Sequence, residues 1–124
     1  MNSRYVAWCR PSAFLPIPVD LDFLRGPNTI HLALQNPHDW PIRLQLQVFD
    51  GPGIDYAREY REMPPHTTQW VDVLKELYGP VLAAHPRAKL SLHIESDPVR
   101  MEFAPTLYFF MHNRNTDIWT ANHL

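Results

Sequence analysis

The stretch Ile42-Arg43-Leu44-Gln45-Leu46-Gln47-Val48-Phe49 alternates without a break. Ile42, Leu44, Leu46 and Val48 fall on one side of an extended chain, and Arg43, Gln45, Gln47 and Phe49 on the other, because successive strand side chains point to opposite faces. A helix would scatter the four aliphatic residues around its circumference. One dry face and one wet face mark an antiparallel sheet covered on one side. Downstream, Asp50-Gly51-Pro52-Gly53 is a strong turn signal. Upstream, Asn36-Pro37-His38-Asp39-Trp40-Pro41 reads as a loop. Before it, residues 29–35 repeat the alternation, with Ile30, Leu32 and Leu34 on one face and His31, Ala33 and Gln35 on the other. The strands over 29–35 and 42–49 are expected to form an antiparallel pair.

Further out, the same reading continues. Residues 57–63 fit both strand and helix templates and are taken as strand from their neighbours. Residues 69–73 form a short strand, followed by a helical turn or two over 72–78. Residues 79–87, with Pro80 and Pro86, read as a loop. Residues 89–95 alternate again, with Leu90, Leu92 and Ile94 inward and Ser91, His93 and Glu95 outward. After a tight turn at Ser96-Asp97-Pro98, Val99, Met101 and Phe103 are expected inward on the next strand. Residues 107–111 are apolar on both faces, with Leu107, Phe109 and Met111 opposite Tyr108 and Phe110. At the other end, Tyr5-Val6-Ala7-Trp8-Cys9 is a strand stopped by Arg10-Pro11, and residues 13–23, with Pro16 and Pro18, read as an extended segment over the core. The tail from Asn113 is polar apart from Ile118 and Trp119. Thirteen scattered prolines break up long helices. The sum is an all-β chain, an antiparallel immunoglobulin-like β-sandwich of seven or eight short strands with at most one short helix. Residues 1–124 read as one domain.

Composition narrows the function classes. The 124 residues suit one domain with a real core. Eleven basic and thirteen acidic residues leave a net charge of −2, which argues against tight non-specific nucleic-acid binding. Arg58 and Arg61 lie close together, but Asp55, Glu59 and Glu62 interleave them. Cys9 is the only cysteine, so no intramolecular disulfide forms, and a reducing, cytoplasmic setting is expected. No apolar run has signal-peptide or membrane-helix length, so no membrane insertion is expected.

Catalytic chemistry finds no foothold. There is no Gly-x-Ser-x-Gly elbow and no Gly-rich phosphate loop, so no catalytic residue and no cofactor are assigned. Cys9, in an apolar strand, reads as an inert core thiol. Asp20 and Asp22, or Glu59 and Glu62, read as solvated charges rather than a glycosidase pair. Seven histidines invite a metal hypothesis, but no zinc-ligand spacing occurs and no metal site is assigned. His31, His93 and His112 each fall on a non-core face. A small His-dependent metal enzyme built on them is therefore an alternative, set against three surface histidines on a wet sheet.

Aromatic residues are the stronger lead. Trp40 sits in the 36–41 loop, Tyr108 and Phe110 lie opposite the core-facing side of their strand, and Trp119 lies in the tail. Outward-facing rings mark contact with something. A partner subunit is the first reading. A sugar platform using Trp40 and Trp119 is the second, and burial under the segment at 10–28 the third. The loops at 36–41 and 50–54 are expected recognition sites, since sandwiches cluster recognition in their end loops.

From residue 5 to about 112 the layout resembles the sensory rhodopsin transducer family, small soluble bacterial β-sandwich proteins. An aromatic-rich first strand (Tyr5 to Cys9) precedes a Pro-rich stretch. An apolar strand then ends in Leu34-Gln35-Asn36, and the 42–49 strand carries its Asp-Gly turn. The run Met63-Pro64-Pro65-His66-Thr67-Thr68-Gln69-Trp70-Val71-Asp72-Val73-Leu74 follows, and then Ile94-Glu95-Ser96-Asp97-Pro98-Val99. The resemblance implies a sandwich that assembles as a homo-oligomer, often a tetramer, and binds a protein or small ligand such as a sugar. The member that names the family relays a signal from a membrane photoreceptor to other proteins. The implied function is a non-catalytic cytoplasmic binding and signalling module, with a carbohydrate-binding module as the alternative. No functional residue is carried over.

Overall fold

The computed structural model describes residues 9–124. Two four-stranded antiparallel sheets face each other. The first has the order β1-β6-β3-β4, and the second β5-β2-β7-β8. The strands are β1 (Ser12–Phe14), β2 (Asn28–Gln35), β3 (Ile42–Asp50), β4 (Ile54–Met63), β5 (Thr68–Asp72), β6 (Ser91–Ser96), β7 (Thr106–Asn113) and β8 (Ile118–His123). Among the described residues, helical structure is confined to α1 (Leu21–Arg25), a π-helical turn over Val73–Tyr78 that runs into α2 (Gly79–Ala84), and a 3-10 turn at Met101–Phe103. The all-β antiparallel sandwich expected from the sequence is what forms. Of the first expected strand, residues 5–8 lie outside the described residues, and Cys9, buried, bridges to Thr106.

The core follows the alternation. Ile42, Leu44, Leu46 and Val48 of β3, Ile30, Leu32 and Leu34 of β2, and Leu90, Leu92 and Ile94 on and beside β6 are all buried in one cluster between the sheets. Residues 57–63 are strand, and β4 begins earlier still, at Ile54. Its inner face carries Glu59 and Arg61 beside the buried Met63, and Arg61 pairs with both Glu59 and Glu76. Charges turned inward on an outermost strand block edge-to-edge pairing.

Four expectations need correcting. First, β2 and β3 do not pair: β2 lies between β5 and β7, and β3 between β4 and β6. Both strands share one dry-face pattern, which a crossover between sheets satisfies as well as a hairpin. The six-residue 36–41 loop with its two prolines makes that crossover. Second, residues 79–84 are helical rather than loop. Asp72 starts the helical stretch, its carboxylate accepting from the Lys75 N–H at 3.1 Å while Glu76 accepts from the Asp72 N–H at 2.6 Å. Gly79 lets the π and α turns join, because a Cβ there would sit 2.9 Å from the Leu74 carbonyl oxygen. Pro80 near the helix start needs no N–H partner. Third, Val99, Met101 and Phe103 do not continue a strand inward. Val99 and Met101 are exposed and Phe103 only half-buried, on a connection that carries the chain from one sheet to the other. Fourth, the 13–23 segment is not extended throughout, since α1 takes up Leu21–Arg25; the polar tail for its part forms β8, which pairs with β7 in an unbroken register from Tyr108↔His123 to Asn113↔Ile118. The turn between them is held by the Asn113 side chain, which accepts from the N–H groups of Asn115 and Thr116.

Candidate functional site

The outer face of the β5-β2-β7-β8 sheet is where aromatic residues gather. Strand register sets which side chains share it. On β7 these are Tyr108, Phe110 and His112, opposite the buried Leu107 and Phe109. On β8, Trp119 lies across from His112 and His123 across from Tyr108. On β5, Trp70 stands beside Ala33 of β2. The rings touch in sequence across the sheet. Trp70 and Phe110 have centroids 5.3 Å apart, His112 stacks on Trp119 at 4.2 Å, and Tyr108 meets His123 at 4.3 Å. Trp70 is 64% exposed and Trp119 56%. Of the expected contact residues, Tyr108, Phe110 and Trp119 thus share one face. Trp70 was not singled out from the sequence. The signal was present, since Val71 and Val73 inward would turn Trp70 outward.

Trp40 belongs elsewhere. It follows the Gln35 end of β2, whereas Trp119 lies by the Thr29 end, so the two do not form one sugar platform. Trp40 is 39% exposed, but its indole N–H donates to the Glu102 carbonyl at 2.7 Å and its ring stacks on His38 at 5.0 Å. His38 is buried and its Nε2–H donates to the Ala104 carbonyl at 2.7 Å, which fixes the tautomer. Beneath them the Asn36 side chain donates to the carbonyls of Trp40, Met63 and Pro64 and accepts from the His38 N–H. The 36–41 loop is therefore clamped to the end of β4 and to the 102–104 connection. Its chemistry is spent on holding the crossover.

The three histidines do not converge. His31 and His112 lie on the second sheet, each beside Trp119, and His93 lies on β6 of the first. Each has its own neighbour: Thr29 for His31, Asp117 for His112 and Ser12 for His93. Among the described residues no group of three or more His, Cys, Asp or Glu side chains is placed to hold a metal ion. The metal-enzyme alternative loses its ligand set on this geometry. The basic residues of β4 are individually neutralised, Arg58 by Asp55 and Arg61 by Glu59 and Glu76, with Arg43 of β3 beside Glu62 and Asp97. The Asp55 hydrogen bond and charge hold the Arg58 guanidinium more firmly protonated than usual. Burial raises the pKa of the Tyr78 phenol above its ordinary range. Asp20, exposed in sequence terms, caps α1 by accepting from the Phe23 N–H. Among the described residues no helix is long and apolar enough to cross a membrane.

The sheet edges differ in a way that bears on contact. β1 has three residues and β5 five, too short to template much pairing. β4 is charged and bulged, its register slipping by one opposite Val48 and Phe49. β8, Ile118-Trp119-Thr120-Ala121-Asn122-His123, carries no Lys, Arg, Asp, Glu or Pro, and every residue of it is exposed. It has none of the usual protections of an outermost strand.

No protein-family model matches the chain, and no curated protein matches it. Among solved structures it is similar to Thermotoga maritima 1070, with a TM-score of 0.53 at 14% identity over 94% of this chain and 88% of that one. It is also similar to the Anabaena sensory rhodopsin transducer, with a TM-score of 0.50 at 15% identity over 82% of this chain and 87% of that one. At these identities the likeness is one of fold.

Proposed function

We propose that this protein is a non-catalytic binding and signalling module that works as a homo-oligomer in a reducing, cytoplasmic setting. The observation that carries the reading is the union of two features on one sheet: an outer face of exposed rings, and a bordering strand without charge, proline or bulge. Exposed aromatics of this density ask for a covering surface, because rings give large contact area at low entropic cost. A bare edge asks for another strand. A copy paired at the edge supplies the strand, and a copy packed face to face supplies the cover. Two β8 strands running antiparallel across a two-fold axis would continue the sheet from one protomer into the other, an isologous contact. The Trp119 rings would then flank the junction. The signalling part of the proposal rests on fold likeness to a protein named as a sensory rhodopsin transducer, and the non-catalytic part on the sequence, which holds no Gly-x-Ser-x-Gly elbow and no Gly-rich phosphate loop.

Replacing Tyr108 and Phe110 together by Asp places charge at the centre of this face without touching the core. The double variant is expected to lower the solution mass measured by light scattering, with its circular dichroism spectrum retained. A folded variant that keeps the native oligomer would remove this face from the assembly.

A further inference from the structure

The opposite sheet carries a concave surface with different chemistry. At the Phe49 end of β3, the outer faces of β1, β6, β3 and β4 and the 51–53 turn enclose an open cleft of about 440 Å³. Its wall is aromatic. Phe14 is 59% exposed, lies parallel to the His93 ring at 4.4 Å and meets Phe49 edge-on at 6.0 Å. Its polar groups are the Gln47 amide, the Asp55 carboxylate and the Arg58 guanidinium, set beside Pro52 and Ile54. The slip in the β3–β4 register sets this up. Phe49 pairs with Asp55 while Val48 pairs with Ala57, so Tyr56 is the extra residue and packs toward the core and His85. Asp55 is thereby brought to the outer face beside Arg58, and bulges commonly re-aim a side chain in this way. Gly53, at a φ of 91°, makes the tight turn that leaves the mouth open.

We propose that this cleft binds a neutral pyranose sugar of mono- or disaccharide size. The volume falls within the range of about 300–1,000 Å³ typical of small-molecule sites. A flat exposed phenyl ring offers a stacking surface to the C–H face of a sugar ring. Gln47 supplies both a donor and an acceptor to ring hydroxyls, Asp55 accepts, and Arg58 donates from its terminal nitrogens while its Nε holds Asp55. The ion pair fixes both side chains before the ligand arrives, which lowers the cost of ordering them. The same inventory disfavours other occupants. Asp55 cancels Arg58 and repels a phosphate, and an apolar ligand would strip water from Gln47, Asp55 and Arg58 without replacing it. The site is separate from the aromatic face of the other sheet, so it stands whether or not the chain assembles there.

The test is two-dimensional amide NMR of the full chain titrated with maltose, cellobiose and xylobiose, and with inorganic phosphate as a separate probe. The expected result is saturable shifts for at least one disaccharide, with dissociation constants near or below about 1 mM. The shifts centre on residues 14, 47, 55, 58 and 93, and phosphate produces none there. Phe14→Ala and Gln47→Ala are expected to weaken binding at least tenfold. Phe14 is exposed, so its truncation leaves the fold intact, and the amide spectrum reports this directly. The proposal is overturned if none of the three sugars moves these resonances, if phosphate moves them as strongly, or if both variants bind as the native chain does.

Discussion

Replacing Asn36 by Ala tests whether the crossover loop is held as described. Asn36 is buried, and its side chain makes four contacts: donations to the carbonyls of Trp40 at 2.9 Å, Met63 at 3.0 Å and Pro64 at 3.1 Å, and acceptance from the His38 N–H at 3.0 Å. Two amide hydrogens serve three carbonyls, so one donation is shared. At roughly 1 kcal/mol net per bond, three effective bonds give about 3 kcal/mol. Part of that arises because the Met63 carbonyl and the His38 N–H are left without partners in a buried setting. For a chain of this size the loss corresponds to a fall in Tm of about 12 °C. Urea unfolding followed by tryptophan fluorescence measures it, at fixed protein concentration because assembly adds to apparent stability. Asn36→Asp is expected to be worse than Asn36→Ala, since a carboxylate would face three carbonyl oxygens. A loss below about 1 kcal/mol for Asn36→Ala, or an Asp variant more stable than the Ala variant, would refute the reasoning.

Two further substitutions probe the helical insertion. The Tyr78 hydroxyl is buried without a hydrogen-bond partner, so Tyr78→Phe is expected to be neutral or stabilising by up to about 1 kcal/mol in urea unfolding, and a loss above about 2 kcal/mol would show that the hydroxyl is satisfied. Burial also raises the folded-state pKa of Tyr78, so the unfolded chain loses its proton first; stability from this group is intact below about pH 10, declines as pH rises above it, and the decline is expected to shrink in Tyr78→Phe. Asp72→Ala removes the cap of the π-helical turn and is expected to cost about 1 kcal/mol, with helical circular dichroism reduced and the sheet signal retained.

The fold was legible wherever one strand face is dry. The alternation at 42–49, 29–35 and 89–95 placed ten inward residues in the core as read. Pairing was less legible, because period-two alternation says which face is buried and nothing about which strand lies alongside. That is why β2 and β3 were joined in expectation and lie in separate sheets. The strand nature of 118–123 was hidden by its polarity: β8 borders the sheet and buries no side chain, so no dry face marks it in sequence. Half of the candidate face was visible as outward aromatics, Tyr108, Phe110 and Trp119. Trp40, read from the sequence as a contact residue in a loop, lies apart from that face. Its bond to Glu102, and the bond from its stacking neighbour His38 to Ala104, join segments more than sixty positions apart. The cleft on the other sheet was beyond reach for the same reason, since Phe14, Gln47, Asp55 and His93 meet only through three strand registers and a bulge.

The proposed contact face and the cleft lie on opposite sheets, so a contact on one would leave the other free. Assembly through β8 would leave every cleft in an oligomer open to solvent.

The most direct test of the assembly claim is the solution mass of the native chain by size exclusion with light scattering over a range of concentrations. The account predicts a discrete species of two or four chains of 14.5 kDa. A single chain at every concentration, with Trp70 and Trp119 free to solvent, would contradict it.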